Sequence, residues 1–422
     1  MTPPNPLTRR QFLRTSTRTA TAVAAASTLA PNLLRAASKA GTVRVGCIGL
    51  GTRGGDLINA VVPLPDVTVT AVCDVYGPHR QKGVERSRNP AVKAYVDYRE
   101  LLADPNVDAV IIATPDHWHA LPVVQAARAK KDIYCEKPLS LTIREARVMA
   151  NAVRENNVVF QTGSMQRSDG SFWKGCTLVR NGMIGEIKEV YANVGGPSQW
   201  CDLPEEPMEP GLDWNEWLGQ APVRPYNSVL SPRGVHDHFP NWRSYREYSG
   251  GGMTDWGAHH FDIAQWGLGM DESGPVEIIP PNGRDVKRLT YLYKSGVKLI
   301  HGGLEGYNFG VVFVGTKGKV CVDRGRFSAE PAELEKVEFD KLPVQLYRSR
   351  NHYRDFTSCI ASRQRPICDV EVGARSVTVC HLGNLAYWNK RALKWDPARE
   401  RFIGDEEANT WLDREKRDPY KV

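Results

Sequence analysis

The chain lacks the marks of several functional classes. It has no CxxC pair and no His/Cys cluster at zinc spacing, so no metal site is expected. Its nine cysteines are odd in number. Cys47, Cys73 and Cys135 lie in or beside apolar, strand-like runs, where cysteine serves as a small hydrophobe, and no disulfide framework is expected. There is no internal repeat, and no low-complexity run after residue 40. A surplus of one charge is also missing. The formal +7 falls to +1 once the six basic residues of the first forty positions are set aside (Arg9, Arg10, Arg14, Arg18, Arg35 and Lys39). So nearly neutral a remainder gives no electrostatic case for nucleic acid or an anionic membrane surface. Long hydrophobic runs are absent too: the Ala-rich stretch from Thr19 to Ala30 is too short and too polar to span a bilayer.

What is present points elsewhere. At 422 residues, 41% of them hydrophobic, the chain has material for two or three domains at about 150 residues each. Thr8-Arg9-Arg10-Gln11-Phe12-Leu13-Arg14 looks like a twin-arginine export motif, and small residues follow near Ala36-Ala37-Ser38. Residues 1–40 are therefore expected to be a signal peptide read by the twin-arginine machinery, which makes the protein periplasmic or otherwise exported. That route carries folded proteins.

Residues 41–163 alternate strand and helix. β-rich runs at 42–49, 66–73, 108–114, 132–135 and 157–162 are separated by helix-like runs such as His119 to Ala129 and Thr142 to Glu155. Repeated units of this kind predict an α/β domain: a parallel sheet with helices on both faces and ligands at the carboxyl ends of its strands. The candidate binding residues fall at those ends. Gly49-Leu50-Gly51-Thr52-Arg53-Gly54 follows the first apolar run and precedes a helix-like run. With 37 glycines in the chain the pattern alone is weak, but the strand–turn–helix context and Asp74, 20 residues after Gly54, complete a dinucleotide layout. Gly49 permits the tight turn, Gly51 lets a pyrophosphate approach the backbone, and Gly54 lets the helix pack close. A carboxylate at Asp74 accepts ribose hydroxyls and repels a 2′-phosphate, favouring NAD over NADP. Thr114-Pro115 and Glu136-Lys137-Pro138 end later strands of the same sheet.

The texture then changes. Residues 164–250 are rich in Trp, Pro and Gly; 286–348 read as β-structure with turns; 352–362 and 373–392 read as helices. Residues 164–390 are expected to form a second, α+β domain of antiparallel strands, and 391–422 a polar tail. Two motifs supply chemistry for a nicotinamide enzyme. Lys137, at a strand end, can hydrogen-bond a substrate oxygen and stabilise alkoxide charge, although a lone Lys in such a loop is often only a surface residue. Asp255 and His259, within Gly250-Gly251-Gly252-Met253-Thr254-Asp255-Trp256-Gly257-Ala258-His259-His260, are four apart and so share one helix face, where the carboxylate would orient the imidazole as a base. The same pair also suits a structural, hydrogen-bonded histidine at a domain seam. His260 points about 100° away round the helix. Gln166 and Arg167 could bind sugar hydroxyls or form a salt-bridged junction. Trp173, Trp200 and Trp242 could stack on a sugar ring or pack in a core.

Taken together, the Gly49-x-Gly51-x-x-Gly54, Thr114-Pro115-Asp116-His117-Trp118-His119, Glu136-Lys137-Pro138 and Gly252-x-x-Asp255-x-x-x-His259 motifs resemble the Gfo/Idh/MocA oxidoreductases over about residues 42 to 390. The resemblance implies an N-terminal Rossmann domain and a C-terminal domain on an open, mostly antiparallel sheet. Gly49, Gly51, Thr52, Arg53, Gly54, Asp74, Thr114, Pro115, His119, Glu136 and Lys137 would hold the cofactor, with Glu136 at the nicotinamide ribose and a cis peptide before Pro138. His259 would accept the proton, with Asp255 as its partner or a substrate ligand. The doubled His259-His260 leaves His260 as an alternative imidazole. The resemblance also implies a homodimer or homotetramer and a carbohydrate substrate. The expected function is an exported NAD-dependent oxidoreductase acting on a hydroxyl of a sugar, polyol or glycoside. The alternatives are a glycoside-cleaving enzyme that recycles a tightly bound NAD, and a non-catalytic nucleotide-binding protein.

Overall fold

Strands β1 (Val43–Ile48), β4 (Ala109–Ile112) and β5 (Asp132–Cys135) are buried nearly end to end, without the alternation of a half-exposed sheet. Runs of this kind belong inside a parallel sheet covered on both faces. The computed structural model describes residues 41–307 and 310–422 and places them there; the expected signal peptide, residues 1–40, lies outside the described residues. The sheet has six parallel strands in the order β3 (Lys93–Tyr95), β2 (Val67–Cys73), β1, β4, β5, β6 (Phe160–Thr162). The chain winds outward from β1 through β2 to β3, then crosses back to lay β4 on the other side of β1. That reversal opens a crevice at the carboxyl ends of β1 and β4.

Local sequence sets the helices between these strands. The helix Ile143–Asn156 starts with a reciprocal cap. Thr142 Oγ1 accepts the Glu145 N–H (3.1 Å), and the Glu145 carboxylate accepts the Leu141 N–H (3.0 Å). It ends at Asn157, whose φ of 52° turns the chain in the left-handed region.

The second sheet runs β13 (Arg326–Glu330), β12 (Gly318–Asp323), β11 (Val311–Gly315), β7 (Ile187–Ala192), β10 (Lys298–His301), β9 (Thr290–Leu292), β8 (Glu277–Ile279), β14 (Leu393–Asp396), β15 (Arg401–Phe402). Its neighbours are antiparallel except for the parallel pair β7–β10. The helices Gly170–Arg180 and Gly257–Leu268 bury Phe172, Cys176, Phe261 and Ala264 against Phe313, Val320 and Val322.

Helix Val370–Asn389 belongs to both halves. Val370, Ala374 and Val377 pack in the first core, whereas Val379, Leu382 and Leu385 pack in the second. Arg147 reinforces the junction, donating to both oxygens of Glu371 (2.8 Å each) and both of Glu400 (2.7 and 2.8 Å). Residues 44–422 accordingly form one compact unit.

The expected polar tail, residues 391–422, is corrected by the structure. Leu393 and Trp395 point inward on β14, Phe402 follows on β15, and each of the three is 1% exposed. Tyr420 reaches back into the first core, its ring edge-on to Trp118. Three buried aromatics scattered among charged residues carry little periodicity, so composition gave no sign of them. The nine cysteines are free thiols. Among the described residues no helix is long and apolar enough to cross a membrane, and no His, Cys, Asp and Glu cluster suits a metal.

Candidate active site

A cleft of about 540 Å³ lies over the strand ends and is walled on its far side by residues of the second half. At one end sits the glycine turn. Gly49 has φ +83°, and a Cβ there would come within 2.7 Å of the Ala113–Thr114 backbone. A Cβ on Gly54 would lie 1.9 Å from Gly49 O, so the helix can approach the strand only without one. Gly51 faces space, its nearest neighbour being His79 at 3.8 Å. The helix Thr52–Val61 starts at Gly51 without a side-chain cap and with no acid in its first turn, leaving its N–H groups for an anion. Thr52 Oγ1 itself donates to His238 O (2.8 Å).

Asp74 accepts the N–H groups of Leu50 (2.7 Å) and Tyr76 (2.9 Å). Burial alone would raise its pKa, but His79 at 3.5 Å and the two N–H groups outweigh burial and hold it low. The group therefore faces the cleft as a carboxylate. Asp74→Asn removes that charge while keeping the shape, and should raise the KM for NAD about ten-fold, the effect of losing one charged hydrogen bond. Initial rates against NAD concentration check it, and an unchanged KM would remove Asp74 from the cofactor site.

At the other end, Arg53 Nε donates to Glu136 Oε1 (2.8 Å), with Nη2 also 2.8 Å from that oxygen in the ion pair, and the Lys137 N–H reaches Glu136 Oε2 (3.2 Å). The Lys137–Pro138 peptide is cis. Lys137 Nζ spans the cleft to donate to Asp255 Oδ1 (2.5 Å) and Asp255 O (3.1 Å). Burial would raise the Asp255 carboxyl, but Lys137, Arg243 and Arg324 together hold it below its usual range. His259 lines the same end, 5% exposed. Burial first, and then the charges of Lys137 and Arg324, push its pKa well below 6.5, so the ring is neutral. Its Nδ1 has no hydrogen-bond partner among the described residues.

One expectation is corrected here. Asp255 does not orient His259: among the described residues no ion pair joins them. The helix is broken between them. Gly252–Asp255 ends in a separate turn, and Gly257–Leu268 starts after Trp256, whose carbonyl accepts the N–H groups of both His259 and His260 (3.0 Å each). The ammonium across the cleft takes the carboxylate instead.

Thr114 and Pro115 line the cleft, and the buried Thr114 Oγ1 lacks a partner. His119 does not line it. The ring is fully buried between Pro138 O (Nδ1, 2.8 Å) and Thr114 O (Nε2, 3.0 Å), so it braces the two cofactor-side turns rather than touching a ligand. Of the substrate candidates, Trp242 lines the cleft. The other five lie elsewhere. Arg167, 2% exposed, is held by Asp262 (2.8 Å) and Asp271 (2.7 Å) in a buried ion cluster. Trp173 is a core residue whose Nε1 donates to Leu346 O (3.3 Å). Gln166 is buried away from the cleft, and His260 turns its Nδ1 to Asn193 O (2.8 Å). Trp200 stands 62% exposed under the Arg246 guanidinium.

The sequence did not single out several lining residues: Asp116, Arg243 and Arg324. Asp116 accepts a hydrogen bond from Ser249 Oγ (2.6 Å), and burial pushes its pKa up to about 7 against the pull of Arg243 and Lys137. It stood inside a quoted motif. Arg243 stood beside Trp242.

The space over Gly51 and the orphaned Thr114 Oγ1 and His259 Nδ1 at the strand ends fit a dinucleotide lying along the cleft. Comparison with known proteins bears this out: residues 43–164 match the family's NAD-binding Rossmann fold, and residues 178–422 its C-terminal alpha/beta domain. The chain belongs to the Gfo/Idh/MocA oxidoreductase family. It is 26% identical over 373 residues to the myo-inositol 2-dehydrogenase of Thermotoga maritima, covering 83% of this chain and 98% of that one. It is 25% identical over 349 residues to the NAD(+)-dependent scyllo-inositol 2-dehydrogenase of Bacillus subtilis, covering 77% of this chain and 88% of that one. The WlbA dehydrogenase of Bordetella pertussis, solved with NADH and UDP-GlcNAcA, shares the fold with a TM-score of 0.60 at 17% identity, over 84% of this chain and 98% of that one. Like other Gfo/Idh/MocA oxidoreductases, the chain binds NAD.

Proposed function

We propose that the protein is an exported oxidoreductase that moves a hydride between NAD and a hydroxyl-bearing carbon of a sugar, polyol or glycoside. The observation that carries this reading is the convergence of Lys137 and His259, from the two halves of the chain, on one end of one cleft. The inositol dehydrogenases among the relatives support the substrate class. The twin-arginine-like stretch at Thr8–Arg14 supports export.

Bound NAD supplies the hydride acceptor. Oxidation of a carbinol removes its carbon-bound hydrogen as a hydride to the cofactor and its hydroxyl proton to a base, leaving a carbonyl. His259, neutral and with a free ring nitrogen, takes that proton. Lys137 donates to the substrate oxygen as negative charge grows on it, while Asp255 aims its ammonium. Glu136 keeps Arg53 in place at the wall of the cleft.

A second reading, in which NAD stays bound and is recycled, has its own support. Residues 209–240 roof the cofactor side. Gly77 N–H donates to Gly211 O (3.0 Å), Asp213 N–H to Val75 O (3.1 Å) and Gly234 N–H to Tyr76 Oη (2.8 Å). Thr52 is bonded to His238. A nucleotide under that roof leaves only when those bonds break.

The test mixes purified full-length protein with a panel of sugars and polyols and follows nicotinamide absorbance. Turnover that disappears in the Lys137→Ala/His259→Phe double variant supports the proposal; no turnover on any compound, or unchanged turnover in the variant, refutes it. Mass spectrometry of the unheated protein and release of phenol from an aryl glycoside without net NADH separate the recycled-cofactor version from the simple dehydrogenase.

A further inference from the structure

Four cations meet at the His259 end of the cleft, and they are not alike. Arg53 is neutralised by Glu136, and Lys137 by Asp255, each through a close ion pair. Arg243 and Arg324 are held mainly by aromatic rings. The Arg243 guanidinium lies 4.2 Å over the Trp242 ring and 5.1 Å from Phe239, and that of Arg324 lies 4.8 Å over Trp256. Arg243 reaches only the edge of the Asp255 carboxylate (3.9 Å) and gives one N–H to Pro240 O (3.1 Å). The Arg324 backbone N–H donates to Asp323 Oδ1 (2.8 Å), but among the described residues its guanidinium forms no ion pair. The remaining acid there, Asp116, is engaged by Ser249.

Two planar guanidinium groups, stacked on rings and short of carboxylates, therefore line this cleft, Arg324 from its solvent-exposed rim. The pyrophosphate of a dinucleotide has its own site, the uncapped helix N-terminus at the glycine turn. The oxidised nicotinamide ring is itself a cation, so cofactor binding adds to the imbalance. A ligand anion corrects it, and paired guanidinium forks match a carboxylate in shape as well as sign.

We infer that the substrate is a sugar or polyol that carries a carboxylate, with Arg243 and Arg324 binding that group beside the carbon oxidised between Lys137 and His259. The inference rests on the proposed dehydrogenase reading and narrows it.

The experiment compares glucuronate, galacturonate and gluconate with glucose, galactose, glucitol and glucose 6-phosphate, in the full chain with NAD, at two ionic strengths. The expected result is kcat/KM at least about ten-fold higher for the acids, with a KM that climbs as salt screens the arginines. Arg324→Gln and Arg243→Gln should each reduce the acid-to-neutral ratio of kcat/KM about ten-fold, and Arg324→Lys, which keeps charge but not the fork, should recover part of it. Neutral sugars turned over as well as their acids, or sugar phosphates preferred over carboxylates, overturn the inference. Calorimetric titration of wild-type protein with glucuronate and glucose separates the two proposals. Glucuronate that binds selectively but is never oxidised leaves the carboxylate site standing and removes the dehydrogenase. Neutral sugars oxidised with no preference for acids do the reverse.

Discussion

His259→Phe should lower kcat/KM about a thousand-fold while leaving NAD binding intact, because phenylalanine fills the ring's place but accepts no proton. The pH profile makes the assignment specific. Burial, Lys137 and Arg324 all disfavour the imidazolium, so His259 stays a free base at pH values where an ordinary histidine is already half protonated. Activity should therefore hold as pH falls through 6.5 and drop only as it falls further, through the depressed value. Arg324→Gln removes one of the repelling charges, so His259 picks up its proton more readily and the acid limb moves up in pH. Stopped-flow or steady-state rates across pH, in both variants, measure this. An acid limb that ignores the charge at residue 324 would show that another group is the base.

Lys137→Ala is the second large effect. It deletes the donor to the substrate oxygen, and oxyanion donors of this kind are worth about a hundred- to a thousand-fold in kcat. It also takes from the half-buried Asp255 its closest cation, leaving Arg243 at 3.9 Å and the more distant Arg324. Part of the loss thus comes from an uncompensated charge rather than from a missing donor. A double-mutant cycle with Asp255→Asn separates the parts. If Asp255 serves mainly to aim Lys137, the double variant is hardly worse than Lys137→Ala alone; losses that multiply would mean that Asp255 contacts substrate on its own account.

The cofactor half was legible in the sequence because each of its parts is set by a strand and the turn that ends it. Gly49, Gly54, Asp74 and Glu136-Lys137-Pro138 sit where one βα unit at a time puts them, and of the two helices expected at 352–362 and 373–392 the first is His352–Ser362 and the second runs Val370–Asn389. What escaped was decided over long distances. Asp255 and His259 looked like neighbours on one helix, but the break at Trp256 and the pull of an ammonium 118 residues away divided them. Arg167 looked like a ligand beside a cleft, yet Asp262 and Asp271 claim it inside the protein. Arg324 lies in Asp323-Arg324-Gly325, which reads as any polar hairpin turn. Only the packing of the β12–β13 hairpin at the edge of the second sheet carries that turn to the base it repels.

Helix Val370–Asn389 restricts how such a cleft can work. Its first turns pack in one core and its last turns in the other, so a swing of one half on the other would have to part packed contacts on both sides. The cheaper route for a nucleotide is local: parting the few hydrogen bonds that hold residues 209–240 over the glycine turn leaves the packing around Lys137 and His259 undisturbed.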